Sequence, residues 1–73
     1  MTEKEWRIIF ANNLIRAIAK YGCTYREFAE DVGISETALN NYLHGRRSPN
    51  SYILKKMVAV LRCSAEDLIE EDW

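Results

Sequence analysis

The sequence predicts an all-α domain of five helices. Residues that cap helices recur before successive apolar segments, and within those segments the apolar residues follow the 3.6-residue period of a helix. No segment alternates between apolar and polar residues over a useful length, as a half-buried strand would. A chain of 73 residues is long enough for one domain, so a single domain is expected over residues 1–73.

Helix one is expected over about residues 2–20. Thr2 lies three residues before Glu5, the spacing of a capping box, in which hydroxyl and carboxylate each bond a backbone N–H of the first turn. Gly22 then ends the helix. Apolar side chains at helical spacing predict a buried face, made of Trp6, Phe10, Leu14, Ala17, Ile18 and Tyr21.

Helix two is expected over about residues 25–31, with a second capping box at Thr24 and Glu27. Gly33 is suited to the left-handed backbone that commonly ends a helix. The residues expected to be buried are Phe28, Ala29 and Val32.

Helix three is expected over about residues 36–44, between the cap Ser35 and the closing Gly45. On a helical wheel its residues divide into two faces. The apolar face, which we expect to point inward, consists of Ala38, Leu39, Tyr42 and Leu43.

Helix four follows a basic turn over residues 46–49, begins after a cap at either Ser48 or Asn50, and runs to about residue 61. Helix five, about residues 65–70, follows a weaker capping box at Ser64 and Asp67, since aspartate has the shorter side chain. The inward residues of these two helices are Leu54, Met57, Val58, Leu61, Leu68 and Ile69.

The two cysteines are interpreted as small buried apolar residues. Cys23 and Cys63 each precede a helix cap and stand five residues before Phe28 and Leu68, the spacing of a hydrophobic staple. They are forty residues apart without CxxC or HxxxH spacing, which disfavours a metal site, and a reducing compartment disfavours a disulfide. No metal and no cofactor is therefore expected.

The composition is that of an ordinary globular protein, with 48% hydrophobic and 29% charged residues. No apolar run approaches the roughly 18 residues of a membrane span, and the first residues lack the apolar stretch of a signal peptide. We expect a cytoplasmic protein without a membrane partner.

The charge is distributed unevenly along the chain. The net charge is −1, but five of the eleven acidic residues lie in an acidic C-terminal end, residues 66–73. The preceding residues hold six acidic against ten basic side chains, a balance that allows a modest electrostatic footprint for nucleic acid.

The second face of helix three carries short polar side chains. Most solvent-exposed helix faces carry Lys and Glu instead. Asparagine and threonine are mediocre helix formers, which indicates another reason for their presence. An asparagine amide can bond adenine, and a glutamate can accept from the cytosine amino group. The alternative interpretation is that this face only contacts solvent and happens to be poor in lysine. This face consists of Glu36, Thr37, Asn40, Asn41 and His44.

Helices two and three, with a turn that begins at Gly33, have the spacing of a helix-turn-helix over about residues 24–45. In that motif the second helix enters the DNA major groove while the first crosses the backbone. The free amides at the start of helix two, with Thr24, Tyr25 and Arg26, can then hold a phosphate.

Residues 24–50, TYREFAEDVGISETALNNYLHGRRSPN, resemble the Cro/Xre-type helix-turn-helix of phage repressors and bacterial regulators. Residues 61–69, LRCSAEDLI, are similar to the family's ending and last helix. The resemblance implies a compact five-helix domain like that of the phage lambda repressor. The matching positions are Thr24, Phe28, Ala29, Val32, Gly33, Ser35, Leu39, Gly45, Arg46, Arg47 and Pro49.

The resemblance implies double-stranded DNA as the partner and assigns the residues that contact it. Base contacts are implied for Ser35, Glu36, Thr37 and Asn41, with Asn40 and His44 at the rim. Phosphate contacts are implied for Thr24, Tyr25, Arg26, Arg46, Arg47 and Asn50. A homodimer on a near-palindromic operator is also implied, in which helix five and Trp73 either form a dimer contact or end in a frayed terminus.

Three positions depart from the family's pattern. Tyr25 stands where the family usually has glutamine, and it keeps a hydroxyl for phosphate. Ile18 and Leu43 replace an arginine–glutamate pair, and such apolar replacement costs little stability. Glu36 occupies a position that commonly reads bases, where a carboxylate repels phosphate unless it meets a cytosine amino group.

Three classes of function remain in view. A small transcriptional repressor is favoured, although antitoxins and restriction-modification controllers share this architecture. A protein-interaction module of the same fold, including antitoxin-like partner binding, is the alternative suggested by the low net charge, Glu36 and the acidic end. An enzyme is not expected, and no catalytic residue is assigned, because no nucleophile or second base accompanies His44 in the sequence.

Overall fold

The computed structural model describes residues 2–69, and within this range the secondary structure is entirely helical. The all-α fold class is confirmed, and the expected helix ends agree with the structure to about one residue. Glu70, the expected end of helix five, and Trp73 lie outside the described residues. The helices are α1 (Glu3–Tyr21), α2 (Tyr25–Val32), α3 (Glu36–Leu43), α4 (Ser51–Leu61) and α5 (Ala65–Ile69).

Two complete capping boxes start α1 and α2, as predicted. The hydroxyl oxygens of Thr2 and Thr24 accept from the amides of Glu5 and Glu27, each at 3.1 Å. The two glutamate carboxylates accept in return from the threonine amides. These bonds satisfy amides that have no partner within a helix, so both starts are fixed locally.

The caps of the last two helices differ in kind. Asn50, and not Ser48, caps α4, because its Oδ1 accepts from the amide of Ile53 at 2.9 Å. Before α5, the Ser64 amide donates to the Asp67 carboxylate at 3.0 Å, while the Asp67 amide donates to the Ser64 carbonyl oxygen at 3.1 Å. The start of α5 therefore keeps one half of a capping box, the bond from the cap amide to the acidic side chain. The other half is replaced by a bond to the Ser64 backbone carbonyl instead of its hydroxyl.

Within residues 2–69, three helices end on a residue in the left-handed conformation. Gly22 and Gly33 have φ of 90° and 85°, and their amides close the last turns of α1 and α2. Arg62 adopts the same geometry after α4 with φ of 55°. A side chain with a Cβ carries a conformational cost there that glycine avoids.

The core draws side chains from all five helices and covers the inward face of α3. Ile18 and Leu43, the apolar residues that replace the family's ion pair, are both buried in the core, as expected. Cys23 and Cys63 are half-buried and pack against the core as free thiols. The core consists of Phe10, Leu14, Ile18, Phe28, Ala29, Val32, Leu39, Leu43, Met57, Leu61 and Leu68.

The prediction that Tyr21 is buried is wrong, since 46% of its surface is exposed. Tyr21 is the last residue of α1, and the helix ends at Gly22 with the tyrosine ring still exposed to solvent. Its side chain instead lines an open groove that also contains Cys63. The periodic face of α1 thus extends one residue beyond the core that it covers.

The end of α3 is held against the start of α1. Arg7 Nε donates to the carbonyl oxygen of Gly45 at 3.1 Å, and the Arg7 guanidinium also pairs with Glu3 at 2.9 Å. Ile8 packs beside Gly45. A Cβ added to Gly45 would lie 3.5 Å from the Ile8 side chain. The first two turns of α1 therefore contact the turn that follows α3.

None of the helices among the described residues combines the length and apolar character needed to span a membrane.

Candidate nucleic-acid interface

The polar face of α3 lies on the surface of the molecule, opposite the side that enters the core. Glu36, Thr37, Asn40 and His44 are exposed, and Asn41 is half-buried. The inward side of the same helix places Leu39 and Leu43 in the core. The helix therefore presents short polar side chains on a rigid support, which suits close approach to base edges.

Ser35 lies at the start of this face and has two uses. Its hydroxyl oxygen accepts from the amide of Ala38 at 3.0 Å, which caps α3. A hydroxyl group can accept and donate at once, so its hydrogen remains for a phosphate or a base acceptor. The cap also fixes the position of Glu36, the first residue of the helix.

His44 lies at the other end of the face and is oriented by the backbone. Its Nδ1 is 2.8 Å from the carbonyl oxygen of Asn40. Since a carbonyl only accepts, Nδ1 carries the hydrogen, and in the neutral ring Nε2 is an acceptor that faces away from this bond. A protonated ring would instead offer a second donor.

An ion pair joins α2 to α3 across the motif. Arg26 Nε lies 3.8 Å from Glu36 Oε1 and 3.4 Å from Glu30 Oε1. The sequence suggested separate contacts for Arg26 and Glu36, with phosphate and with base. The pairing was missed, because no sequence signal shows that two helices bring these positions together.

Tyr25 also lies beside the polar face. Its ring is 49% exposed, and it forms one wall of a groove of about 330 Å³ between the start of α2 and α3. A phenol in this position can reach a phosphate that approaches the exposed face of α3. The groove is lined by Tyr25, Glu36, Thr37, Leu39, Asn40 and Leu43.

A carboxylate lies at the start of α2, since the Thr24 amide donates to Glu27 Oε1 at 2.9 Å. The pKa of Glu27 lies below its usual value because the Thr24 backbone N–H and then its hydroxyl bond to the carboxylate. Glu27 therefore keeps a negative charge beside Thr24. The amides of Tyr25 and Arg26 belong to the first helical turn and have no carbonyl partner within α2, so they can donate to an anion.

The basic turn after α3 folds back onto the helix. The amides of Arg46 and Arg47 both point to the carbonyl oxygen of Asn41, at 2.9 and 3.4 Å. Both arginine side chains are exposed. Since Gly45 is bonded to Arg7, this turn presents two cations from an anchored backbone.

Helix α4 places further groups near the motif. Asn50 is exposed and its Oδ1 is engaged in the cap, which leaves its side-chain NH2 group as a donor. Lys56 Nζ lies 4.9 Å from the centre of the Tyr52 ring and 3.1 Å from the point where a Cβ on Gly33 would stand. No sequence signal marks Lys56 or Tyr52, because only the packing of α4 brings them to the turn.

Among residues 2–69, no three His, Cys, Asp or Glu side chains are grouped so that they could hold a metal ion. Burial raises the pKa of Cys23 and Cys63, and the nearby carboxylates of Glu27 and Asp67 raise them further. Both thiols therefore remain protonated at neutral pH, in keeping with a packing role.

Two comparisons with known proteins bear on this surface. A helix-turn-helix family model matches residues 14–68, which include α2, α3 and the basic turn. The fold is similar to the solution structure of the SOS-response transcriptional repressor LexA from Eubacterium rectale, with a TM-score of 0.89 and 28% identity. That similarity covers 99% of this chain and 77% of the other. No curated protein matches the chain.

Proposed function

Since the chain belongs to the helix-turn-helix family, we propose that it is a sequence-specific DNA-binding transcription regulator that acts as a repressor. The observation that carries this proposal is the exposed polar face of α3, with arginines at both ends. Arg26 lies beside its first residue, and Arg46 and Arg47 follow its last turn. Cations so placed would meet the two phosphate backbones that border the major groove.

The short side chains of α3 are proposed to read bases. Asn41 and Asn40 carry amides that pair with adenine, and Glu36 carries an acceptor for the cytosine amino group. The hydroxyls of Ser35 and Thr37 and the His44 ring provide further contacts.

Phosphate contacts are proposed to set the register of α3 on the duplex. They come from the start of α2, from the basic turn and from the start of α4. The residues proposed for this task are Thr24, Tyr25, Arg26, Arg46, Arg47 and Asn50.

A repressor role is supported by the likeness to a protein described as a transcriptional repressor. Tight binding over a promoter is sufficient for repression, so neither a cofactor nor a catalytic group is part of the proposal. We further propose a homodimer, on a near-palindromic operator whose half-sites lie about one DNA turn apart. We also propose that the protein acts in the cytoplasm.

A protein-interaction role is the second candidate, and one observation favours it. Three carboxylates surround the expected DNA face, since Glu30 and Glu36 flank Arg26 and Glu27 lies at the start of α2. Such charges weaken the attraction to phosphate and would suit a basic protein partner. Salt separates the two candidates, because DNA affinity falls steeply with added salt.

The test is selection of bound duplexes from a random DNA library at low and moderate salt. A recovered inverted repeat would support a dimeric site-specific regulator. The double variant Arg46→Ala/Arg47→Ala should then lose affinity for the selected duplex, whereas Lys20→Ala, which removes an exposed charge outside the motif, should retain it. A folded protein that enriches no sequence at either salt would favour a protein partner.

A further inference from the structure

We propose that Arg26 is a positioning residue for base recognition. Its guanidinium holds the Glu36 carboxylate so that Glu36 accepts a hydrogen bond from the amino group of a cytosine. This inference rests on the proposed function and deepens it, because it names the base and the pair of residues that selects it.

The geometry brings the two groups together from different helices. Arg26 Nε on α2 lies 3.8 Å from Glu36 Oε1 on α3. The backbone of Glu36 is fixed by the Ser35 cap, which bonds the Ala38 amide. The position of the carboxylate therefore depends on its own side-chain torsions and on the cation beside it.

The pairing solves an electrostatic difficulty at the DNA surface. A glutamate that enters the groove is repelled by the phosphates on both sides, and only a cytosine amino group offers it a donor. A neighbouring guanidinium offsets the repulsion. Arg26 Nε donates to Glu30 at 3.4 Å and lies 3.8 Å from Glu36. Since a guanidinium has five N–H donors, its terminal nitrogens can serve Glu36 and a phosphate together.

Stability alone does not account for the pair. The side chains of Arg26 and Glu36 are 77% and 69% exposed, and ion pairs so exposed contribute little to folding. At a DNA interface water is excluded, and the same charges then interact more strongly. The pair should therefore matter in the complex much more than in the free protein.

Glu30 provides a matched control. It lies on α2, one turn after Arg26, with its carboxylate 3.4 Å from Nε and its side chain 67% exposed. It carries the same charge as Glu36 and accepts the hydrogen bond of Arg26 Nε, but it does not belong to α3. Removing its charge should leave base preference unchanged.

The experiment uses the duplex selected by the wild-type protein from a random library. Substitution Glu36→Gln identifies the base pair that Glu36 reads, because an amide should shift preference from cytosine towards adenine there. Four duplexes that differ only at this pair are then titrated with wild type and with Arg26→Ala, Arg26→Lys, Glu36→Gln and Glu30→Gln. Thermal unfolding of each variant checks that the fold is kept.

Wild type and Glu30→Gln should prefer cytosine over the other bases by about tenfold or more. Arg26→Ala should reduce this ratio to about threefold or less. Arg26→Lys should recover much of the affinity lost by Arg26→Ala but not the preference for cytosine over the other bases. An ammonium group lacks the planar set of N–H donors with which a guanidinium can bind carboxylate and phosphate together.

Equal weakening of all four duplexes by Arg26→Ala would make Arg26 a phosphate contact only and would overturn the inference. Selected DNA without a cytosine that depends on Glu36 would overturn it too, while the proposed function stands. Failure of the wild type to enrich any DNA would reject the proposed function, and the inference with it.

Discussion

Asn13 Nδ2 donates to the carbonyl oxygen of Leu68 at 3.0 Å, and this bond joins α1 to α5 inside the core. Arg16 Nη2 donates to the other end of the same amide at 2.7 Å. Asn13 is the buried polar side chain among the described residues, with 4% of its surface exposed. A short last helix is thus secured by a buried hydrogen bond as well as by Leu68 itself.

Substitution Asn13→Ala should lower the free energy of unfolding by about 1–3 kcal/mol, because the Leu68 carbonyl is left buried without its donor. Urea unfolding at neutral pH measures the change. Asn12→Ala, one residue earlier on α1 and half-buried, is the control and should cost much less. Equal losses in the two variants would contradict the role given to this bond.

Substitution Arg62→Gly should raise the free energy of unfolding by about 1 kcal/mol, because glycine adopts the φ of 55° without the strain that a Cβ causes. Arg62→Ala removes the same charged group but keeps the Cβ, so it should give no such gain. Thermal or urea unfolding compares the two. The explanation fails if alanine stabilises the protein as much as glycine does.

Substitution Glu27→Gln should make stability less dependent on acid. The pKa of Glu27 is lowered in the folded state, so its stabilisation is present above the unfolded pKa and is lost as the pH falls through the folded pKa. Wild type should therefore lose more stability than Glu27→Gln between about pH 6 and pH 3, a window around the ordinary glutamate pKa. Urea unfolding at several pH values tests this, and parallel curves would contradict it.

Substitution Arg46→Ala should weaken binding to all duplexes and reduce the slope of log affinity against log salt by about one. Affinity titrations between low and moderate salt give this slope. Lys20→Ala removes an equal charge from the end of α1 and should leave it unchanged. An unaltered slope for Arg46→Ala would remove Arg46 from the phosphate contacts.

Substitution Asn41→Ala should relax base preference at one position of the selected site, at a cost of about 1–3 kcal/mol for the preferred base. Folding should not suffer, because alanine is the better helix former. Titration against duplexes with single base changes measures the preference. If unrelated duplexes weaken to the same extent, Asn41 does not read a base.

Local interactions explain why the helices could be predicted. A cap such as Thr24 with Glu27 acts over three residues, and the apolar period of α3 separates Leu39 from Asn40 without any tertiary information. The periodic pattern does not show where the core ends, which is why Tyr21 was placed wrongly. The apolar period and the capping residues therefore predict where helices lie and which face is buried. They do not predict how far along a helix the burial extends.

Contacts between different helices could not be predicted from the sequence. Asn13 and Leu68 are 55 residues apart, and the approach of Arg26 to Glu36 depends on the angle between α2 and α3. The candidate face on α3 was predictable because one helix contains it. The pairing that we assign to it was not, because it requires two helices and their packing.

The bond from Arg7 to Gly45 has a consequence for handling the protein. Arg7 lies 38 residues away from Gly45 and outside residues 14–68, yet it anchors the backbone that presents Arg46 and Arg47. A peptide of residues 24–50 would contain both helices of the motif but not this anchor. A purification tag placed next to the start of α1 would lie close to this anchor, so affinity measurements are better made with the tag removed.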